Sequence, residues 1–289
     1  MLDWFANTNH AGFFVALEKG YYRETGLDVN ICGDAQSAMD TGDADIIVAP
    51  QPSILTGIDR GYKITAVATL TQCNDSGILS LKQSGINGPR DITGKRLSYW
   101  AAAWFDSLVG KAVNDDGGDY AKVRLIRKEV DDIEHSLGRE VDAVWVYKSW
   151  EYFVMLHAGI PVNYFAFADY GPVYDYCAPA VAAANALIES APDDLRAFLV
   201  QTGRGYIESA RDPEAASEIL VRYMQKADKR DLQLVKDSLR YLSAHFLNQA
   251  GRWGHIEPAR WNALADHMAE HGLIKARAAH EFTNDFLGG

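Results

Sequence analysis

The sequence predicts an α/β fold in two lobes, each a mostly parallel sheet flanked by helices. Strand-like and helix-like segments alternate over the first two-thirds of the chain, the pattern that sets parallel strands beneath crossover helices. The last third turns helical throughout. At 289 residues and 48% hydrophobic content, the chain buries enough core for two lobes.

The opening reads as a strand at Leu2-Asp3-Trp4-Phe5, a polar turn, and an apolar helix over 10–19. Asn7, Thr8 and Asn9 are turn and N-cap residues, and Gly20 is a natural helix stop. Leu27-Asp28-Val29-Asn30-Ile31 alternates like a half-buried strand. This βαβ opening puts Trp4, Asn9 and His10 at a strand's carboxyl end and a helix N-terminus, where open α/β sheets bind ligands.

Further strands are expected over 45–49, 64–70, 77–81, 96–100, 123–126, 141–146 and 180–183, with helices over 52–59, 105–113 and 149–157. Beyond Pro192, Leu195-Phe198-Leu199 and Ile219-Leu220-Tyr223 keep helical spacing. Pro213 between Asp212 and Glu214 marks a helix start, and helices over 231–247 and 258–271 follow, the last stopped by Gly272. Crossings near 75–77 and 176–179 divide the chain into a discontinuous lobe, 1–76 with 180–289, and a second lobe, 77–179. The cleft between such lobes is the usual place for a small ligand.

A formal charge of −11 without basic clusters argues against a nucleic acid partner. No apolar run reaches the ~18–20 residues of a spanning helix. Cys32, Cys73 and Cys177 lack metal or redox spacing and read as small, semi-buried hydrophobes. His267 and His271 read as a solvent-facing pair without a third metal ligand. Nucleophile elbow, P-loop and dinucleotide fingerprint are all absent from the sequence, so no motif supports catalysis.

Leu2-Asp3-Trp4, Asn9-His10-Ala11, Glu18-Lys19-Gly20-Tyr21 and Gly26-Leu27-Asp28-Val29 fall together in a register that resembles one known N-terminus. It is that of the SsuA-like and thiamine-precursor-binding family of type II periplasmic solute-binding proteins. Ala49-Pro50-Gln51-Pro52, Ser149-Trp150-Glu151, Asp169-Tyr170-Gly171 and Glu270-His271-Gly272 continue the resemblance over nearly the whole chain.

The resemblance implies a type II periplasmic-binding-protein-like fold and the solute-binding part of an ABC importer, with no enzymatic activity. It would carry a thiamine pyrimidine precursor, of hydroxymethylpyrimidine or formylaminopyrimidine type, to an ABC permease. It implies a monomer without cofactor or metal, located in the periplasm or otherwise outside the cytoplasm. No signal peptide precedes the first strand here, so a trimmed or mis-started reading frame is expected, a cytoplasmic protein being the other option.

A flat heteroaromatic guest needs faces to stack on and edge donors and acceptors. The candidates at strand ends are Trp4, Asn9, His10, Gln51, Asn74, Trp100, Trp104, Tyr147, Tyr174, Asp175 and Tyr176. Trp100 or Trp104 would stack on the ring, opposed by Trp4 or a tyrosine of 174–176, while Asn9, Gln51 and Asp175 read its edges. No arginine stands near these positions in sequence, which argues against a sulfonate.

Two alternatives remain: a binder of another heteroaromatic such as riboflavin, and an enzyme like the pyrimidine phosphate synthases of thiamine biosynthesis. Those synthases hold pyridoxal phosphate on a lysine just after the strand matching 45–48, with a histidine four residues on. The register gives Ala49 and Ser53, which supply neither a Schiff base nor an imidazole. Their cysteine-rich run is represented only by Cys177. The glutamate common among pyrimidine binders beyond the return tyrosine is Ala178 here.

Overall fold

The structure is a computed structural model and describes residues 1–33, 35, 42–99, 102–127, 132–224 and 231–288. The chain divides into two compact units, Met1–Cys73 with Tyr176–Gly289, and Asn74–Asp175. The division falls at 73/74 and 175/176 instead of the expected 76/77 and 179/180, and hydrogen bonding explains the offset. Asp75 already belongs to the second unit. Its carbonyl accepts from the Lys148 N–H at 2.9 Å and the Tyr164 hydroxyl at 2.7 Å, and its Oδ2 from the Ser149 N–H at 2.9 Å. Cys177 and Pro179 belong to the first unit, because their carbonyls accept from the Gln51 and Leu70 N–H groups at 2.9 and 3.1 Å.

The first unit's sheet contains β1 (Ile46–Ala49), β2 (Ile64–Thr69) and β8 (Ala180–Ala184) in the order β1-β8-β2. Both pairings are antiparallel, with Ala180 beside both Ala49 and Thr69. The expected mostly parallel sheet is corrected here, since the ladders among these three strands are antiparallel throughout. The chain re-enters this unit at the carboxyl ends of β1 and β2, so β8 must run against both. Residues 180–183 are small and fully buried, as a strand covered on both faces requires.

The second sheet has the order β5-β4-β6-β3-β7. It is built from β3 (Ser76–Leu81), β4 (Arg96–Ser98), β5 (Arg124–Ile126), β6 (Ala143–Tyr147) and β7 (Val162–Ala166). β4 runs parallel to β5 and β6, while β3 runs antiparallel to β6 and β7. β7 is an addition to the sequence reading, hidden there by the turn residues Gly159 and Pro161 just before it.

The βαβ opening is reduced to its helix. Neither Leu2-Asp3-Trp4-Phe5 nor residues 27–31 join a ladder. Met1 and Leu2 are tied to neighbouring segments by hydrogen bonds: the Met1 amine donates to the Ile46 carbonyl at 2.7 Å, and the Leu2 N–H to that of Cys32 at 2.7 Å.

The Ala11–Glu18 helix crosses the Pro192–Arg211 helix at glycines. A methyl group on Gly205 would lie 2.0 Å from the Gly12 carbonyl oxygen, and one on Gly12 would lie 2.1 Å from the Tyr206 ring. The Tyr206 ring meets Phe13 edge-on at 5.6 Å and stacks on Trp253 at 4.8 Å. Gly205→Ala is expected to overpack this backbone crossing and destabilise the first unit by about 1–3 kcal/mol. Its urea midpoint would fall against that of the parent protein, and an unaltered midpoint would contradict the close approach.

Candidate functional site

In the first unit the site is built on the turn before the Ala11–Glu18 helix. Asn7 caps a 3-10 turn, Thr8–His10, its Oδ1 accepting from the Asn9 N–H at 2.9 Å. His10 is fully buried. Its Nδ1 accepts from the Asn7 N–H at 3.4 Å, so the neutral ring carries its proton on Nε2 and donates to Asp3 Oδ1 at 2.9 Å. Both nitrogens are thus committed within the protein, and His10 orients the turn.

Asn9 differs. Its carbonyl accepts from the Tyr206 hydroxyl at 2.6 Å, which fixes the backbone of the turn. Burial pushes the Tyr206 phenol well above its ordinary pKa, so it stays a donor. The side-chain Oδ1 of Asn9 is buried and has no hydrogen-bond partner among the described residues. An amide oxygen so placed costs about 1–3 kcal/mol unless a donor reaches it. Trp4 is 38% exposed, the only strongly exposed aromatic among the candidates described. Its ring lies tilted against Phe5 at 5.6 Å.

Gln51 and Tyr176 are buried in the first unit. Gln51 donates from Nε2 to the Trp261 carbonyl at 2.7 Å and accepts at Oε1 from the Cys177 N–H at 3.1 Å. Its edge-reading capacity is already used to hold the return segment. The Tyr176 carbonyl accepts from Arg260 at 2.9 Å, and another nitrogen of the same guanidinium donates to the Thr71 carbonyl at 2.9 Å. Arg260 lies beside candidate residues although nothing near them in sequence announces it.

In the second unit, Asn74, Tyr174 and Asp175 form one cluster. The Asn74 N–H donates to Asp175 Oδ1 at 2.7 Å, its Nδ2 to the Tyr174 carbonyl at 2.7 Å, and its Oδ1 accepts from the Ser76 N–H at 2.9 Å. The Tyr174 ring stacks on Phe167 at 6.1 Å, and its buried hydroxyl has no partner among the described residues. Burial raises its phenol pKa, keeping it protonated. Trp104 packs edge-on against Trp145 at 6.4 Å and is buried, and Tyr147 meets the same Trp145 ring at 5.0 Å. Trp100 lies outside the described residues.

The structure therefore places Asn9 and His10 on one turn, with Trp4 in the segment before it, and Asn74, Tyr174 and Asp175 in another cluster. Gln51 and Tyr176 meet through Cys177. A cavity of about 460 Å³ in the first unit, lined among others by Phe13, Leu27, Asp45 and Phe198, includes none of the sequence-predicted residues. His267 is buried while His271 is exposed, which corrects the solvent-facing pair. Among the described residues no group of His, Cys, Asp and Glu is placed to hold a metal ion, and no helix is long and apolar enough to cross a membrane.

Residues 7–216 match the family model described as NMT1/THI5 like. The chain belongs to that family. It is 26% identical over 288 residues to a formylaminopyrimidine-binding protein of Halalkalibacterium halodurans, covering 95% of this chain and 85% of that protein. It is 22% identical over 309 residues to the 4-amino-5-hydroxymethyl-2-methylpyrimidine phosphate synthase of Schizosaccharomyces pombe, covering 99% of this chain and 85% of the synthase. The alkanesulfonate-binding protein SsuA from Xanthomonas axonopodis pv. citri, solved bound to MOPS, superposes with a TM-score of 0.70 at 12% identity. That match covers 98% of this chain and 96% of SsuA.

The fold is thus that of periplasmic binding proteins, α/β with mixed sheets flanked by helices. Binding proteins and named synthases both occur among the NMT1/THI5-like relatives. The pyridoxal phosphate of the synthases finds no fit at the position their resemblance assigns it. Ala49 ends β1 fully buried, and its methyl group cannot form a Schiff base.

Two tests follow from these contacts. Gln51→Leu keeps the volume but leaves the buried Cys177 N–H without its acceptor, at about 1–3 kcal/mol, and removes the second bond to the Trp261 carbonyl, read as a lower urea midpoint. Tyr99 is pushed up to about 12 by burial and then by its hydrogen bond to Asp106. Its contribution is complete below the ordinary tyrosine pKa of about 10 and is lost as pH rises toward 12. Tyr99→Phe should flatten the fall in stability over that window, measured by urea unfolding at successive pH values.

Proposed function

We propose that this protein is the solute-binding component of an ABC importer and carries a thiamine pyrimidine precursor unchanged. The observation that carries the reading is the buried, unpartnered amide oxygen of Asn9 at the head of the Ala11–Glu18 helix. An aminopyrimidine edge presents N–H donors beside ring-nitrogen acceptors, and an amide side chain offers the complementary acceptor and donors. Trp4, exposed in the segment just before that turn, supplies a face for a flat ring. The similarity to a formylaminopyrimidine-binding protein supports the same ligand class.

The reading extends to an inter-lobe cleft that closes by hinge motion, as expected from the sequence, and to an ABC permease that takes the ligand over. Similarity to SsuA, a binding protein for another solute, supports an extracytoplasmic carrier. A synthase would need a lysine where Ala49 stands, so its chemistry has no residue to start from.

The test is a thermal-shift and calorimetric panel of hydroxymethyl- and formylamino-pyrimidines, riboflavin and alkanesulfonates. A pyrimidine at saturating concentration should raise the melting temperature by linkage and be recovered unaltered by mass spectrometry. Asn9→Ala should weaken its binding by about 1–2 kcal/mol, roughly ten-fold, because the backbone bonds of Asn9 persist. Preference for riboflavin or a sulfonate would sink the ligand assignment, and conversion of bound pyrimidine into product would sink the carrier.

A further inference from the structure

We propose that Arg260 is the positioning residue of the hinge, an inference that rests on the solute-binder reading above. The chain passes between its units at 73/74 and 175/176. Arg260 stands near the start of the Pro258–Glu270 helix in the first unit. Its Nη1 donates to the Thr71 carbonyl and its Nη2 to the Tyr176 carbonyl, both at 2.9 Å. One planar group therefore grips the outgoing and the returning segment just before each leaves the unit.

Each gripped segment is anchored further back. The Gln72 N–H donates to the His245 carbonyl at 2.7 Å, and the Thr71 hydroxyl to the Cys73 carbonyl at 2.9 Å. Beyond Tyr176, Cys177 is held by Gln51 through both its N–H and its carbonyl. On the second unit's side, Asn74 ties the same two segments together through Asp175 and Tyr174.

Between the two clamps lie the backbone links Cys73–Asn74 and Asp175–Tyr176. The rigid guanidinium ties the two segments to each other on the first unit's side, so they are held as a pair and not as two independent linkers. A lysine ammonium is a point charge on a flexible stem and does not reproduce a fork spanning two acceptors.

The test is amide hydrogen exchange on the ligand-free protein, comparing the parent chain with Arg260→Ala and Arg260→Lys. In Arg260→Ala, exchange at Leu70, Gln72 and Cys177 should rise about ten-fold or more, while Ala182 in β8 and Val144 in β6 keep their protection. Arg260→Lys should fall between the two. Unaltered linker exchange would overturn the proposal, as would a rise spread evenly through the first unit. Full protection in Arg260→Lys would overturn it too, since charge alone would then suffice. No ligand takes part, so a failed ligand panel leaves this result standing, and failure here leaves the ligand assignment untouched.

Discussion

The first unit is closed by one glutamine. Gln51 satisfies both ends of its amide at once, on the Cys177 N–H and the Trp261 carbonyl, partners 126 and 210 positions away. A buried amide is tolerated only when its donors and acceptors are matched, so the three segments must arrive together. Their meeting sets where the chain re-enters the unit and hence where β8 begins. It also sets the Pro258–Glu270 helix, and Arg260 stands one residue before Trp261 on it. The grip on the linkers is therefore downstream of the glutamine.

A second constraint runs from packing to recognition. Glycine at 12 and 205 lets two helices touch backbone to backbone, and the Tyr206 ring fills the space that a side chain on Gly12 would take. From that seat the Tyr206 hydroxyl reaches the Asn9 carbonyl and holds the turn. The amide of Asn9 is left as the member of the turn whose oxygen has no described partner, while the Asn7 amide oxygen accepts from the Asn9 N–H and His10 pairs with the Asn7 N–H and Asp3. The aromatic core thus makes the turn rigid, and within the turn the Asn9 oxygen is the acceptor left over.

Much of this was legible in the sequence where the signal is local. The strands at β1, β2 and β3 and the late helices follow from periodicity, prolines and glycine stops. The direction of β8 was not legible, because it depends on the end from which the return segment enters. The opening strands failed for a related reason: alternation at 27–31 gives strand potential but names no ladder partner. At the site, residue type pointed to Asn9, His10 and Gln51 alike. Only the folded arrangement separates the two whose polar groups are engaged from the one whose oxygen is not. Arg260 and Tyr206 act on residues 189 and 197 positions away, a range at which a single sequence carries no signal.

The family hosts both carriers and synthases, so the fold itself does not choose between them. The choice lies in what stands at the strand ends. At the end of β1 this chain has a buried alanine followed by Pro50, and the glutamine next to it is tied to two backbone groups. A group so bound cannot abstract or deliver a proton in a reaction without unfastening the return segment. His10, the one candidate with an imidazole, donates from Nε2 to Asp3 and accepts at Nδ1 from the Asn7 N–H. What such a site retains is shape, one amide oxygen and an exposed indole. On the reading proposed above, these are an acceptor and a stacking face for a planar guest.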